Sequence, residues 1–436
     1  METFKYTSYA FDAEKGVLSL NYAVDDAYTF TERIIFPKPF RNLSEKEERA
    51  LLRVFRALHI AAGVSYYKAF LCPKMEVMTE PLTHNEAVFF TDFYIKGLGE
   101  FSFRNDVVIK PDFKPEANYV EPETLDLPQR ILVPVGGGKD SSVVTEVLKN
   151  AGYKPVLFAV GQPKPIKECM EVAGLETLIV KREVSPLLLE LNQANNTFNG
   201  HVPVTGILSF IMAAVSILYG FSAIVMANER SANVGNVRKD DMTVNHQWSK
   251  SLEFETAFRN FVGQNLFLGL EYFSLLRGLS ELAIAKKFAE LKAYHPVFTS
   301  CNRAFKIDES KRIEHWCGVC DKCRFVFLAL APFMKKAEMV KIFGTNLLAE
   351  PSQERGYKEL LGLAAYKPFE CVGEIEESAA ALSLLASEPE WQDDYIVQKL
   401  LPEVEAKYGD CQNFIRDAFT KSRKHNIPKE YLSALG

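Results

Sequence analysis

One short segment constrains the fold of this chain more than any other: a run of three glycines between an apolar strand and a helix. Residues Ile131–Val135 predict the strand, and a helix is predicted from Ser141 to Asn150. The joining motif consists of Gly136, Gly137, Gly138, Lys139, Asp140, Ser141 and Ser142. Glycines let backbone N–H groups approach an anion, and the N-terminus of the following helix adds unpaired donors and a positive dipole end. The segment therefore predicts a phosphate-binding loop; the alternative is a glycine-rich turn that binds no ligand.

The polar residues of this loop have separate expected roles. The hydroxyls of Ser141 and Ser142 can donate to phosphate oxygens, whereas the Asp140 carboxylate suits the Mg²⁺ that accompanies ATP. The spacing matches neither a Walker loop nor a GxGxxG motif. It resembles the PP-loop of the adenine-nucleotide α-hydrolase superfamily, usually Ser-Gly-Gly-x-Asp-Ser, with Gly136 in place of the first serine. The resemblance implies an enzyme that binds ATP on this loop and splits it into AMP and pyrophosphate.

Three further segments fit a nucleotide site at the carboxyl edge of a parallel sheet. Val160 closes the second predicted strand, where such folds hold adenine or ribose, and His201–Gly206 resembles the superfamily's phosphate-side segment. Glu229 and Arg230 follow a later strand, so Glu229 is a candidate metal ligand and Arg230 a candidate phosphate contact. Each of them has an ordinary surface-loop role as its alternative.

Strands that alternate with helices after residue 130 predict an α/β fold with a doubly wound parallel core. We predict a mixed α+β substrate domain over residues 1–125, a PP-loop domain over 126–335 and a helical domain over 336–436. The first forty residues read as strands, and a capping box at Ser44–Glu47 begins a helix that Gly63 is expected to end. Pro111–Gln129 is the expected linker. The last domain is predicted to contain helices over Glu374–Ser387, Asp393–Lys407 and Cys411–Lys424.

Charge and hydropathy patterning exclude some classes of function. Lys and Arg number 51 against 56 Asp and Glu, and the formal net charge of −5 is not the basic footprint of a general nucleic-acid binder. The N-terminus lacks a secretory signal pattern, so we expect a cytoplasmic protein. The apolar run Ile207–Ala227 is long enough to span a membrane, but Gly220 divides it into a helix-length and a strand-length piece. We therefore expect a buried helix followed by a buried strand.

Four of the eight cysteines cluster in a short stretch of the chain, at Cys301, Cys317, Cys320 and Cys323. Four thiolates without an open coordination position are typical of structural zinc, and clustering favours metal over disulfides in an intracellular chain. An iron–sulfur cluster, a redox pair and free thiols remain alternatives. The spacing looks like the zinc knuckle of 7-cyano-7-deazaguanine synthase, another PP-loop enzyme. Such a knuckle would fix a loop without taking part in the chemistry.

Several stretches outside the loop resemble MurL-type UDP-N-acetylmuramoyl-L-alanyl-L-glutamate epimerases, and on this basis the resemblance spans nearly the whole chain. The stretches are Tyr28–Glu32, Ala61–Lys68, Val244–Ser251 and Lys367–Glu374. The resemblance implies that the terminal L-Glu of UDP-MurNAc-L-Ala-L-Glu is converted to D-Glu. Adenylation by ATP would remove the carboxylate charge that opposes loss of the α-proton, and water would later cleave the acyl-adenylate. The implied cofactors are ATP, Mg²⁺ and a structural Zn²⁺.

The two proton-transfer residues are not fixed by the sequence. The candidates are His246, Lys250, Glu229, Cys371, Tyr66 and Lys68. His246 is preferred because histidine can carry a proton in both directions near neutral pH, although it can also simply hold a loop. Cys371 can act as an epimerase thiol or be a small buried residue.

Two other readings of the sequence stay open. The chain could be another PP-loop adenylating enzyme, such as a 7-cyano-7-deazaguanine synthase-like enzyme or a tRNA-modifying ligase. It could also be a nucleotide sensor that binds ATP without releasing pyrophosphate. The expected partner is the UDP-MurNAc-dipeptide substrate, with no nucleic acid and no membrane span, and a homodimer is the default assembly.

Overall fold

The computed structural model describes residues 1–194, 196–239, 242–306, 309–364 and 367–435. The chain is an α/β protein built around one nine-stranded mixed sheet. The strands are β1 Thr3–Asp12, β2 Val17–Val24, β3 Tyr28–Ile35, β4 Lys74–Val77, β5 Ile131–Pro134, β6 Val156–Val160, β7 Thr177–Glu183, β8 Ala223–Met226 and β9 Glu271–Ser274. Short two-stranded ladders pair residues 82–83 with 115–117, 123–124 with 267–268, and 237–239 with 242–244.

Sixteen α-helices cover the sheet or follow it within the described residues. They are α1 Glu45–Phe70, α2 His84–Gly97, α3 Gly99–Asn105, α4 Lys139–Asn150, α5 Lys164–Ala173, α6 Pro186–Gln193, α7 Val204–Tyr219, α8 Leu252–Phe261, α9 Glu281–Ala289, α10 Asp321–Leu330, α11 Lys336–Phe343, α12 Glu354–Leu360, α13 Ile375–Ala386, α14 Tyr395–Tyr408, α15 Gln412–Phe419 and α16 Lys429–Leu432. The predicted helical character after residue 336 is confirmed. The predicted helix Cys411–Lys424 is wrong at its end, because α15 stops at Phe419.

The strand order in the sheet is β9-β8-β5-β6-β7-β3-β2-β1-β4. The five strands from β9 to β7 are parallel, and their order is that of a doubly wound sheet that starts at β5 and extends first to one side and then to the other. The chain changes direction between β5 and β8, and ligands gather at such switch points. The glycine loop, which directly follows β5, therefore lies where this topology places a ligand.

The strands at the N-terminus extend the same sheet. Strand β7 pairs antiparallel with β3, with Arg182 opposite Ile34, and β3, β2 and β1 form an antiparallel meander. The whole sheet is therefore mixed, and its hydrogen bonding continues across the domain boundary predicted at residue 125. Two hydrophobic cores lie against it, and the first draws on both the meander and the parallel strands.

Helix α1 begins as predicted and ends later than predicted. Ser44 and Glu47 form the capping box, but the helix continues through Gly63 to Phe70, so the expectation that Gly63 ends it is wrong. A Cβ at Gly63 would lie 2.5 Å from Cε1 of Tyr6, so glycine is required there for close packing against β1. Leu71, with φ of 51°, ends the helix in the left-handed conformation instead.

The long apolar run forms helix α7 and strand β8, as expected. Gly220 caps the helix with φ of 76° and Ala223–Met226 is wholly buried. Among the described residues, no helix combines the length and apolar character needed to cross a membrane. Helix α7 packs against α1, and both helices contribute to the first core.

Candidate active site

The glycine loop joins β5 to α4 at the switch point of the sheet. Gly137 has φ of 75°, and a Cβ there would lie 3.0 Å from the backbone nitrogen of Ile166. A Cβ at Gly138 would lie 2.6 Å from Oγ of Ser300, whereas a Cβ at Gly136 would meet nothing within 4 Å. Glycine is therefore required at Gly137, a Cβ at Gly138 would displace the Ser300 hydroxyl, and Gly136 has room for the serine that PP-loops usually carry.

Two serine hydroxyls hold the loop in shape. Oγ of Ser141 accepts a hydrogen bond from the backbone of Gly136 at 3.4 Å, and Oγ of Ser142 donates to the carbonyl of Gly138 at 3.0 Å. Both serines are buried at the N-terminus of α4. To donate to a phosphate, as predicted, Ser142 would exchange the Gly138 carbonyl for a phosphate oxygen.

Lys139 lies inside the protein and forms ion pairs with Asp140 and Glu281. Burial alone would lower the pKa of Lys139, but the two carboxylates outweigh it and raise that pKa. The ammonium group thus balances buried carboxylates instead of pointing outward from the loop. Asp140 keeps 26% of its side chain exposed, which leaves it available to a cation beside the loop. Mg²⁺ is commonly held by one or two carboxylates together with phosphate oxygens, and Asp140 fits that need.

More carboxylates lie beside Lys139 than one ammonium group can neutralise. Burial, together with Asp140 and Glu229, raises the pKa of Glu281 to about 7 against the opposing effect of Lys139. Burial likewise raises the pKa of Glu229, with Asp140 adding to the effect. Glu377 accepts hydrogen bonds from the backbone of Glu281 at 2.9 Å and from Oγ of Ser231 at 2.7 Å. The raised pKa values of Glu229 and Glu281 show that carboxylates crowd this edge of the sheet, where a divalent cation would relieve their repulsion.

The structure places Arg230 and Val160 at the same edge. Nη1 of Arg230 donates to the carbonyls of Asp417 and Thr420 at 3.3 and 3.2 Å, so this guanidinium holds the C-terminal end of α15. Val160 is the last residue of β6 and is partly buried. The predicted contacts of these two residues with phosphate and nucleoside stay predictions.

A second cluster combines Cys371, His246, Lys250 and Glu100. Nζ of Lys250 lies 3.1 Å from Sγ of Cys371, and His246 hydrogen-bonds the same thiol. Nδ1 of His246 binds the carboxylate of Glu100 on α3. The structure therefore brings together His246, Lys250 and Cys371, three of the six proton-transfer candidates, and adds Glu100, which no sequence pattern indicated.

Electrostatics make Cys371 a thiolate. Burial would raise the pKa of this thiol, but Lys250, His246 and Lys322 outweigh burial and hold the pKa well below its ordinary value. Burial would also lower the pKa of His246, yet Cys371 and Glu100 raise it to about 9. The arrangement therefore favours a thiolate between an imidazolium and an ammonium group. His201, whose ring centroid lies 4.5 Å from that of His246, is neutral because burial and His246 lower its pKa to about 4.

Lys250 connects the thiol cluster to the loop. Its pKa is raised mainly by Cys371 and further by Glu229 and Asp140. The fully buried guanidinium of Arg277 donates to the carbonyl of Lys250 at 2.6 Å and to the carbonyl of Glu229 at 2.7 Å. Arg277 thus holds the backbone of Lys250, in the thiol cluster, and of Glu229, near the glycine loop. The carboxylate of Glu255, 3.0 Å from Nη2 of Arg277, balances the charge of the guanidinium.

Asn236 positions the two partners in the thiol cluster. Its Oδ1 accepts from the backbone nitrogen of His246 at 2.9 Å, and its Nδ2 donates to the carbonyl of Pro368 at 2.7 Å. The amide therefore ties the histidine to the segment that carries Cys371. Beside that segment, Pro368, Glu370 and Arg104 line a cavity of about 730 Å³, large enough for a sizeable substrate.

Tyr66 and Lys68 lie elsewhere. The Tyr66 hydroxyl donates to Glu32 at 2.9 Å inside the first core, and Nζ of Lys68 lies 3.4 Å from Oδ1 of Asn199. Neither side chain has a described contact with Cys371, His246 or Lys250.

The four clustered cysteines come together as predicted from their spacing. Their sulfur atoms all lie within 4.8 Å of one another, with Cys317 and Cys323 3.6 Å apart and Cys301 and Cys320 3.9 Å apart. Zinc–sulfur bonds of about 2.3 Å in a tetrahedron place sulfurs about 3.8 Å apart, so the thiols fit a zinc ion. None of the eight cysteines forms a disulfide.

The cysteine knuckle supports both clusters. The backbone nitrogen of Thr299, two residues before Cys301, donates to the carbonyl of Gly137 at 2.9 Å. Nζ of Lys322, within the knuckle, donates to the carbonyl of Cys371. A metal at the knuckle would therefore hold the glycine loop and the reactive thiol in fixed relation.

Two family models match the chain: the MurL N-terminal domain over residues 1–275 and the MurL C-terminal domain over residues 297–413. Three relatives share the name UDP-N-acetyl-alpha-D-muramoyl-L-alanyl-L-glutamate epimerase. The one from a Micromonospora species is 43% identical over 100% of this chain and 98% of its own length. The relative from Salinispora tropica is 41% identical over 100% of this chain and 96% of its own length. The relative from Xanthomonas oryzae pv. oryzae is 38% identical over 98% of this chain and 95% of its own length.

Proposed function

Because the chain belongs to the MurL family, we propose that it epimerises the terminal L-glutamate of UDP-MurNAc-L-Ala-L-Glu to D-glutamate. We propose further that the reaction consumes ATP, passes through a glutamyl adenylate and releases AMP and pyrophosphate. The observation that carries this proposal is the pairing of a glycine loop at the switch point of the sheet with a thiolate cluster joined to it through Lys250.

The need for ATP follows from the chemistry of the carbon acid. Removing an α-proton beside a carboxylate would place a second negative charge next to an existing one. Adenylation converts the carboxylate into a neutral acyl group that can delocalise the developing charge as an enolate. Backbone donors at Gly136–Gly138 and the hydroxyls of Ser141 and Ser142 would bind the pyrophosphate, with Asp140 holding Mg²⁺.

The proton transfers then belong to the cluster around Cys371. His246 holds a proton that Glu100 and the thiolate stabilise, and Lys250 places a positive charge where negative charge develops on the acyl oxygen. Water finally cleaves the acyl group and restores the carboxylate. A structural zinc in the cysteine knuckle would fix the geometry, and we expect the enzyme to work in the cytoplasm, where ATP is available.

The test uses purified protein with Mg²⁺ and ATP, with and without UDP-MurNAc-L-Ala-L-Glu, in deuterated water. The proposal predicts AMP and pyrophosphate only with this substrate, and deuterium at the glutamate α-carbon. AMP without deuterium would instead support another PP-loop enzyme that activates a carboxylate for a different acceptor. Deuterium without ATP consumption would overturn the adenylation step while keeping the epimerisation.

A further inference from the structure

Cys371 is held in a way that suits bond formation to carbon. Its sulfur is flanked by two cations, Lys250 at 3.1 Å and the His246 imidazolium, in a residue that is only partly buried as a whole. These neighbours favour the ionised, nucleophilic form of the thiol near neutral pH and make it a weak base, because the charges that stabilise the thiolate lower its affinity for a proton. Removal of an α-proton calls instead for a group with a high affinity for a proton.

We propose that Cys371 attacks the carbonyl carbon of the glutamyl adenylate and forms a thioester on the enzyme before the α-proton is removed. The inference rests on the proposed function, since the adenylate is the acyl donor. It assigns to Cys371 a covalent role distinct from that of a proton carrier.

The step balances without any further reactant. The thiolate supplies the electron pair of the new S–C bond. The bond between the acyl carbon and the phosphate oxygen of AMP breaks, and AMP leaves with the electron pair of that C–O bond. The thioester then loses and regains a proton at the α-carbon. Water attacks the carbonyl and the S–C bond breaks with its electron pair on sulfur, which restores the thiolate and the glutamate carboxylate and releases the two protons of the water to the solvent.

Formation of the thioester also changes what His246 can do. The titratable groups near this ring include Glu100, His201, Cys371 and Glu370, with Lys250 beyond the thiol. The thiolate is among the groups that raise the pKa of His246, and that contribution disappears when the sulfur becomes neutral in a thioester. The imidazole then gives up its proton more readily and can act as a base on the neighbouring α-carbon.

Formation of the thioester also frees the Lys250 ammonium group to act on the substrate. Once the sulfur is neutral, the ammonium group 3.1 Å away loses its nearest ion partner and can stabilise negative charge on the thioester oxygen. Pro368 and Glu370, in the segment that leads to Cys371, line the cavity of about 730 Å³, which offers space for the rest of the nucleotide-linked substrate.

The first experiment compares wild-type enzyme with Cys371→Ala, and with Cys411→Ala as a matched control in a buried cysteine far along the chain. Substrate-dependent exchange of labelled pyrophosphate into ATP reports adenylation alone. We expect Cys371→Ala to keep this exchange within about threefold while AMP release falls at least about a hundredfold. Cys411→Ala should resemble the wild type in both measurements.

The second experiment looks for the intermediate in wild-type enzyme. A single turnover is quenched with acid within milliseconds and the protein is analysed by intact mass and peptide mapping. We expect an adduct of substrate minus water on the peptide that contains Cys371. Turnover without such an adduct, or a Cys371→Ala enzyme that releases AMP at the wild-type rate, would overturn the thioester. Absence of pyrophosphate exchange in the wild type would instead count against adenylation itself.

Discussion

The side chain of Asn236 donates a 2.7 Å hydrogen bond to the carbonyl oxygen of Pro368, three residues before the reactive thiol. The same amide accepts from the backbone of His246 at 2.9 Å. The two partners of the thiolate–imidazolium pair come from distant parts of the sequence, and one amide sets their separation. Asn236 is thus a positioning residue that does not itself contact Cys371 in the described structure.

Replacing Asn236 with alanine is expected to slow the reaction about tenfold to a hundredfold, because small misplacements of reacting groups have effects of this size. The lost hydrogen bonds should lower the free energy of unfolding by about 1–3 kcal/mol. The measurements are kcat and chemical denaturation. Asn346→Ala is the matched control, since Asn346 bridges Asp394 and the backbone of Leu348 in the same manner but in the helical part. Equal kcat losses in both variants would contradict the positioning role.

The charge on Cys371 predicts a distinctive pH dependence of alkylation. Because its pKa lies well below the ordinary value, iodoacetamide should modify Cys371 rapidly even in mildly acidic solution. Lys250→Met removes the nearest cation, so the apparent pKa of the thiol should rise and alkylation at low pH should slow. Peptide mass spectrometry across pH measures both, and Lys341→Met, at an exposed lysine, serves as the control. Unchanged alkylation at low pH in Lys250→Met would show that the ammonium group does not stabilise the thiolate.

Both activity and stability are expected to fall at alkaline pH, as the His246 imidazolium loses its proton. Its pKa in the folded protein is raised to about 9 from an ordinary value near 6.5. The stabilisation that its charged form contributes is therefore fully present below about pH 6.5 and is lost as pH rises through about 9. We expect kcat/KM to fall with an apparent pKa near about 9, a value that belongs to the coupled cluster. In Glu100→Gln this limb should move to lower pH, and an unmoved limb would remove His246 as its source.

Removing the charge of Glu281 is expected to lower the stability of the fold beneath the glycine loop. Glu281→Gln leaves the buried Lys139 with only Asp140 as partner, and breaking a buried pair costs about 3–5 kcal/mol of unfolding free energy. Thermal or chemical denaturation measures the loss. Glu290→Gln, at the exposed C-terminal end of the same helix, should have little effect. A stable Glu281→Gln protein would show that Lys139 is neutral or solvated.

Substitutions of Gly136 and Gly138 are expected to affect pyrophosphate exchange to different degrees. Gly138→Ala forces its Cβ against Oγ of Ser300, so substrate-dependent pyrophosphate exchange should fall at least about tenfold. Gly136→Ser meets open space and should keep the exchange within about threefold. Equal effects of the two substitutions would mean that steric contact at Gly138 does not control the loop.

The sequence predicted those parts of the molecule that depend on local pattern. The strand–glycine–helix unit around Gly137, the buried helix before Gly220 and the gathering of Cys301 with the knuckle all rest on residues close in the chain. The contacts of Glu100, Asn236 and Arg277 could not be predicted in this way. Each of them joins segments that are distant in sequence and that only the folded sheet and its helices bring together. The prediction for Gly63 is wrong because a glycine that ends a helix and a helical glycine that makes room for a tyrosine ring look alike in sequence.

The pairing of β3 with β7 also constrains how the chain can be made. During synthesis, Tyr28–Ile35 leaves the ribosome long before Thr177–Glu183 exists, and closing so long a loop is slow. Until then the meander carries an exposed edge strand, which is a site for association with other chains. A fragment truncated near residue 125 keeps that exposed edge permanently. We therefore expect expression of the N-terminal part by itself to yield aggregates, and folding of the full chain to be limited by the arrival of β7.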